Sequence, residues 1–364
     1  MKCIHILSAN EIKFQKPLFL LINNEEYGFN PSQHYFITPH ISVYEELIKN
    51  HKNIILDNSG DHLINKYAPK CDLLIVQGIP NRLDLLRVKS SYYRKLVIRT
   101  WGGGRQVYNH SGSIYSKIKT RILDYFYYLY VNLTIGRCCA LGIANYVDVL
   151  DIRKWIKRVK LYELPLTSGE DYRIIERIKH SDSKEDISTL NILLGHQGEP
   201  SENHIKWLNV LLDRFGNEDI HIYIPLSYGN QLYIDTIMPK LQEYKSTKIT
   251  IITDFMPLDK YLSFLNTIDV AILDEVSSMA LGNIAYLLSL DKKIVLNANG
   301  IINDTFELLN IPCYLTKDLY NISLSQLKSE IRYPEESIRP LASISIEYVV
   351  ERWLYFLQHV IAVH

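Results

Sequence analysis

Short apolar runs alternate with amphipathic stretches along the whole chain. Runs at Cys3–Leu7, Phe19–Ile22, Tyr35–Ile37, Asn53–Leu56, Leu73–Val76, Leu96–Arg99, Leu133–Ile135 and Leu161–Leu164 predict strands. Several are apolar throughout, as parallel strands buried on both faces are. Val43–Asn50, Asn81–Lys89 and Ile114–Val131 predict helices between them, the first opened by Ser42 with Glu45 as a capping box. The polar stretch Ser168–Ser188 breaks the pattern and predicts a linker with a short helix over Ile174–Ile178. A second series follows, with strands at Leu190–Leu194, Ile220–Pro225, Ile249–Thr253, Val270–Leu273 and Lys293–Leu296. Its helices are expected at Glu202–Phe215, Gln231–Tyr244, Asp259–Thr267, Gly282–Leu290 and Asp304–Leu309. A last amphipathic helix, Ile344–Val363, carries Val349, Trp353, Phe356 and Val360 near one face. The expected class is α/β with two doubly wound parallel domains at 1–170 and 189–340, a linker at 171–188, and a helix at 341–364 returning to the first domain.

Composition narrows the function. With 364 residues, two cores are expected. Forty Lys plus Arg balance forty Asp plus Glu, so broad attachment to nucleic acid is not expected. The 26 tyrosines outnumber the 14 Phe and Trp together, a bias that suits interfaces or reflects base composition. Five cysteines without a CxxC pair, and no secretory or membrane-spanning run, point to a reducing cytoplasm. The histidines, including His5, His34, His40, His196 and His221, form no ligand spacing, and no Asp-x-Asp follows a strand; no metal site and no cofactor are expected.

Four segments carry candidate chemistry. Gly195-His196-Gln197-Gly198-Glu199-Pro200-Ser201 follows a strand and opens a helix, either as a phosphate-binding loop or as a plain βα turn with Ser201 as N-cap. Asp274 to Asn283 joins a strand to an apolar helix. Its small residues, Ser278 and Gly282 among them, suit a diphosphate at a helix N-terminus, and Asp274 and Glu275 suit sugar hydroxyls; solvated loop carboxylates and a packing glycine are the alternative. Trp101-Gly102-Gly103-Gly104-Arg105 is a turning loop whose Arg105 either meets a phosphate or lies on the surface. The basic and aromatic stretches Tyr115–Tyr130 and Arg153–Lys160 suit either an anionic membrane surface or a packed helix with solvated charges.

The run Ile192-Leu-Leu-Gly-His-Gln-Gly-Glu-Pro-Ser-Glu-Asn-His-Ile205 resembles the VGNSGDxSNEHI loop of bacterial 4-acetamido-4,6-dideoxygalactosyltransferases of common-antigen assembly. In the same order, Ile224–Tyr228 resembles VPMGY, Tyr261-Leu262 with Leu265 and Asp269 resembles YLxLLxxCDL, and Gly282–Asn297 resembles GTLCLLIQAGIPCVLN. Ile4–Leu7 resembles IHVL, and Trp101-Gly102 with Tyr108 resembles WGADLY. The likeness is clearest over Leu190–Leu315. Two departures stand out: Gly103, Gly104 and Arg105 follow Trp-Gly where the family has an acidic residue, and Ser277 to Ala280 replace an Arg-Gln-Gln-Gly run.

The resemblance implies a GT-B fold and a metal-independent glycosyltransferase. It implies a dTDP-sugar donor, a lipid-linked oligosaccharide acceptor and a cytoplasmic position peripheral to the anionic inner membrane. Donor-site expectations are Gly195, Gln197, Gly198, Ser201, Tyr228, Asp274, Ser278, Gly282, Asn283 and Arg105. Glu11, His40 and Glu275 are the catalytic candidates. A nucleotide-sugar epimerase and a non-catalytic sugar-nucleotide scaffold remain open alternatives at this level.

Overall fold

The computed structural model describes residues 1–8, 12–59, 62–78, 85–100, 125–126, 129–130, 133–144, 146–147, 149, 153, 156, 159–165, 170–179, 189–244, 246–276, 279–341 and 346–360. The chain forms two compact units, one of Met1–Gly169 with Ser343–His364, the other of Glu170–Ala342.

The first unit holds strands β1 (Cys3–Leu7), β2 (His34–Thr38), β3 (Ile54–Leu56), β4 (Leu73–Gln77), β5 (Leu96–Thr100), β6 (Ala140–Ile143) and β7 (Lys160–Glu163). They form one parallel sheet in the order β3-β2-β1-β4-β5-β6-β7. Helices α1 (Ile12–Ile22), α2 (Ile41–Leu47) and α3 (Leu63–Tyr67) belong to the same unit. Alternate residues of each strand serve opposite faces. Cys3, Leu7, Phe36 and Val97 pack in one cluster with Phe19 of α1, while Ile4, Ile6, Leu74 and Ile98 enter the other.

The second unit begins with α4 (Glu170–Lys179), followed by β8 (Leu190–Leu194), α5 (His204–Phe215), β9 (Ile220–Pro225), α6 (Gln231–Glu243), β10 (Ile249–Ile252), α7 (Leu258–Thr267), β11 (Val270–Leu273), α8 (Leu281–Ser289), β12 (Lys293–Leu296), α9 (Ile301–Leu308) and β13 (Tyr314–Leu315). Short helices α10 (Leu324–Lys328) and α11 (Glu335–Ile338) follow. The sheet is parallel in the order β10-β9-β8-β11-β12-β13. The order reverses between β8 and β11, and at such a reversal the loops beyond neighbouring strand ends diverge and leave a crevice. The chain then returns to the first unit as α12 (Ile346–His359). Its Val349, Trp353 and Phe356 are fully buried in the β1 cluster.

Several expectations change. Phe19–Ile22 is the end of helix α1, not a strand. Leu18, Phe19, Leu21 and Ile22 are all buried, and a short run that is apolar all round cannot distinguish a buried helix from a buried strand. Leu133–Ile135 is likewise no strand; its place in the sheet belongs to Ala140–Ile143. Helix α2 starts at Ile41, so Ser42 lies inside it, and the N-cap is His40, which makes no side-chain capping bond. The polar stretch expected as a linker opens with the ten-residue α4, which packs on α7 in the second unit.

A buried polar chain crosses the first unit. His5 Nε2 lies 3.0 Å from His34 Nδ1, Gln77 Nε2 lies 3.3 Å from His5 Nδ1, and Arg99 Nη1 donates to Gln77 Oε1 at 3.2 Å. Arg99 Nε donates to the Leu164 carbonyl at 2.7 Å, and the guanidinium stacks over Trp353. Burial holds His5 well below its ordinary value, with His34 and Arg99 adding repulsion, and burial pushes His34 down to about 4. The fold therefore prefers neutral imidazoles. The stability this contributes is complete above the unfolded value near 6.5 and is lost as pH falls toward 4, on the order of 3 kcal/mol for His34 alone. Denaturant titrations at pH 7.5 and 4.5 should show that loss for the first unit, and His34→Gln should flatten it. An unchanged midpoint at pH 4.5 would count against neutral burial.

Candidate functional site

The reversal between β8 and β11 places two loops side by side in the second unit. The first, Gly195–Asn203, leaves β8. Gly195 has φ +73°, and a Cβ there would stand 2.5 Å from His204 Nε2, so only glycine fits. Gly198 donates to the Tyr228 carbonyl at 2.8 Å and accepts from the Asn230 N–H at 2.9 Å, extending the β8–β9 pairing into the loops. Ser201 does not cap a helix, although the plain-turn alternative would require it. Pro200–Glu202 is a single 3-10 turn, α5 starts later at His204, and the Ser201 hydroxyl donates instead to Glu275 Oε2 at 2.5 Å.

The second loop leaves β11. Asp274 is buried, and its oxygens are taken by internal donors. Trp207 Nε1 donates to Oδ2 at 2.7 Å, Asn203 Nδ2 to Oδ2 at 2.8 Å, and Asn297 Nδ2 to Oδ1 at 2.8 Å. The expectation that this carboxylate reads sugar hydroxyls gives way to a strut that ties the loops after β8, β11 and β12 together. Glu275 is buried as well and bonded to Ser201, joining the two loops a second time.

Ala280 then turns with φ +64° into α8, and among the described residues no side chain caps the helix. The first-turn N–H groups of an α-helix have no intrahelical partner and carry the positive end of the helix dipole. Beside them Gly282 leaves room: a Cβ there meets nothing within 4 Å among the described residues. Asn283 accepts from Tyr261 OH at 2.6 Å and shares a second hydrogen bond with the Tyr228 hydroxyl. Gln197 Nε2 reaches Met279 Sδ at 3.7 Å, closing the other side. The Tyr228 ring stands T-shaped to His196 and remains half-exposed.

The donor-site expectations Gly195, Gln197, Gly198, Ser201, Tyr228, Asp274, Gly282 and Asn283 thus meet at one end of this sheet, with Glu275 beside them. His40 belongs to the first unit, where its Nε2 lies 3.1 Å from the Ser8 carbonyl. Glu11, Arg105 and Ser278 lie outside the described residues, as do the Trp-Gly-Gly-Gly loop, Lys117, Lys119, Arg121, Lys154, Trp155, Lys157 and Arg158. Residue-level reading of the sequence missed a buried pair, His196 with Glu202, the buried His204 and the half-buried Tyr261. The six-residue separation of His196 and Glu202 within one glycine-rich loop was the available signal. Among the described residues no group of three or more His, Cys, Asp or Glu side chains is arranged to hold a metal, and no helix is long and apolar enough to cross a membrane.

A family model described as 4-alpha-L-fucosyltransferase, glycosyl transferase group 56, matches residues 162–358, more than half of the chain and all of the loops above. The chain belongs to this family. As a group 56 glycosyltransferase it shares its fold with distant solved structures. A glycosyltransferase from Rickettsia africae aligns with TM-score 0.60 at 12% identity, covering 99% of this chain and 98% of that one. Anabaena HepE in complex with UDP and glucose aligns with TM-score 0.58 at 9% identity over 100% of both chains. A UDP-N-acetylglucosamine 2-epimerase from Listeria monocytogenes aligns with TM-score 0.53 at 14% identity over 100% of this chain and 97% of that one. The architecture is GT-B, and the group 56 match makes the chain a glycosyltransferase rather than an epimerase or a scaffold.

Proposed function

We propose that this group 56 enzyme moves a 4-acetamido-4,6-dideoxyhexose from a dTDP-linked donor to a polyprenyl-diphosphate-linked oligosaccharide of a bacterial surface polysaccharide. The observation that carries the reading is the N-terminus of α8, which no side chain among the described residues caps and which leaves space at Gly282, beside the glycine loop after β8. Two lines support the sugar class. The family description names a fucosyl group, which is a 6-deoxyhexose, and the motifs over Leu190–Leu315 resemble those of 4,6-dideoxyhexosyltransferases.

In this reading the α8 N–H groups accept the charge that develops on the leaving diphosphate, and Asp274 and Glu275 hold the loops in register. The Tyr228 ring, fixed through Asn283, gives the donor an aromatic face. The acceptor hydroxyl gives its proton to a first-unit base, for which His40 and Glu11 are the residues to replace.

A thermal-shift series with dTDP, UDP and GDP tests the donor assignment. At about 100 Kd, a ligand bound only to the native state adds ~2.7 kcal/mol, roughly 5–10 °C for a unit of this size. The largest shift is expected with dTDP. No shift with any of the three, or the largest with UDP or GDP, would remove the dTDP assignment.

A further inference from the structure

The pair His196 and Glu202 has no part in holding the two loops together. That work is done by Ser201 with Glu275, by Asn203 with Asp274 and by Gly198 with Tyr228. Yet both side chains are nearly sealed from solvent, His196 at 3% and Glu202 at 1% exposure. Burying ionisable groups is costly, and an apolar pair would usually fill such a place at no loss of stability. The imidazole is also held by its partner, with Nδ1 ion-paired with Glu202 Oε1. The other ring nitrogen, Nε2, has no partner among the described residues. The ring lies in the glycine loop, T-shaped to Tyr228 at 6.5 Å. Tyr228 in turn bonds Asn283, the neighbour of the open Gly282.

We propose that His196, oriented by Glu202, is a catalytic residue that protonates the departing diphosphate through Nε2. The proposal rests on the reading that the donor diphosphate lies at the α8 N-terminus. As the bond from the anomeric carbon to the β-phosphate oxygen breaks, its electron pair stays on that oxygen, which takes the Nε2 proton. The acceptor hydroxyl oxygen forms the new bond to the anomeric carbon and gives its proton to the first-unit base. Solvent returns a proton to His196 after product release.

The surroundings favour a proton on this pair. Burial raises the Glu202 carboxyl above its ordinary value, against the opposing pull of His196, and Glu275 adds to the rise. The carboxyl thus resists standing as an anion without the imidazole beside it. The remaining neighbours supply no competing proton. His204, buried and close to His196, is held down to about 4, and burial raises the Tyr228 and Tyr233 hydroxyls. Asp274 is occupied by its internal donors.

The full chain and its His196→Gln and Glu202→Gln variants test this with calorimetric binding of dTDP and dTMP and with kcat followed from pH 6 to 9. In His196→Gln, dTDP should weaken roughly tenfold while dTMP changes less than about twofold, because only dTDP carries the β-phosphate. The same variant should lose about a hundredfold in kcat and with it the fall of kcat at alkaline pH. Glu202→Gln should keep dTMP affinity and shift that alkaline fall to lower pH. His196→Gln with unchanged dTDP affinity and kcat, or with equal loss of both nucleotides, would overturn the assignment. A parent chain that binds dTDP no better than dTMP would instead overturn the site reading beneath it.

Discussion

Asp274→Ala is expected to destabilise the second unit by about 2–4 kcal/mol, because it leaves buried neutral donors without their acceptor. The carboxylate accepts from Trp207, Asn203 and Asn297, and the residue is 3% exposed. Its loss strands these donors where water is scarce, at about 1–3 kcal/mol for each that stays unsatisfied, and relaxation recovers part of that. For a unit of this size the melting transition should fall by roughly 10 °C. Asp274→Asn should fall between, since an amide keeps one acceptor oxygen but turns an N–H₂ toward another donor. Differential scanning calorimetry of the three proteins checks the order. A loss below about 1 kcal/mol in Asp274→Ala would mean that the loops after β8 and β11 hold without their strut.

Gly282→Asp should act in the opposite way, sparing the fold and removing the ligand. A Cβ at Gly282 meets nothing within 4 Å among the described residues, so none of them has to repack. The position is the second residue of α8, where an acidic side chain is favourable by about 0.3–1 kcal/mol and glycine is the poorest choice apart from proline. The variant without ligand should therefore melt at or slightly above the parent temperature. Nucleoside-diphosphate binding should collapse, because the new carboxylate stands where the diphosphate charge has to lie. At an effective dielectric near 20, two unit charges about 5 Å apart repel by roughly 3 kcal/mol, a loss of about a hundredfold in affinity. Titration calorimetry with dTDP on both proteins reads this directly. Equal affinity would place the diphosphate elsewhere.

The framework of the fold was legible because its strands are coded locally. Leu190–Leu194, Ile220–Pro225, Val270–Leu273 and Lys293–Leu296 are the strands the apolar runs predicted, and the glycine loop falls where a strand ends. The last helix was legible from the spacing of Val349, Trp353 and Phe356, all of which are fully buried. Phe19–Ile22 was misread because an apolar run of that length has no period to reveal. The motif resemblance found a glycosyltransferase, and the group 56 match agrees at that level.

The site was legible only as loops. Which side chain faces the crevice and which faces inward depends on partners far along the chain. Asp274 looked like a sugar-binding carboxylate, and what occupies it is Trp207, a separation of 67 residues. In the sequence Glu202 is simply the first residue of the helix predicted over Glu202–Phe215. Its burial depends on the late start of α5, which follows from Asn203 taking φ +51° and turning its amide to Asp274. Ser201 has the residue type of an N-cap, but the helix starts later, with Asn203 at its N-cap, and the Ser201 hydroxyl is left to donate to Glu275. Tyr261 and Asn283 meet only when α7 and α8 pack.

Incubation of the purified chain with a dTDP-4-acetamido-4,6-dideoxyhexose and a polyprenyl-diphosphate-linked oligosaccharide, followed by mass spectrometry of the lipid and nucleotide fractions, is the most direct measurement of the proposed activity. The expected result is one added dideoxyhexose on the lipid for each dTDP released, and release only when both substrates are present. Nucleotide release without transfer, a donor altered at a ring carbon in the absence of acceptor, or no reaction while a GDP- or UDP-linked sugar is transferred would contradict it.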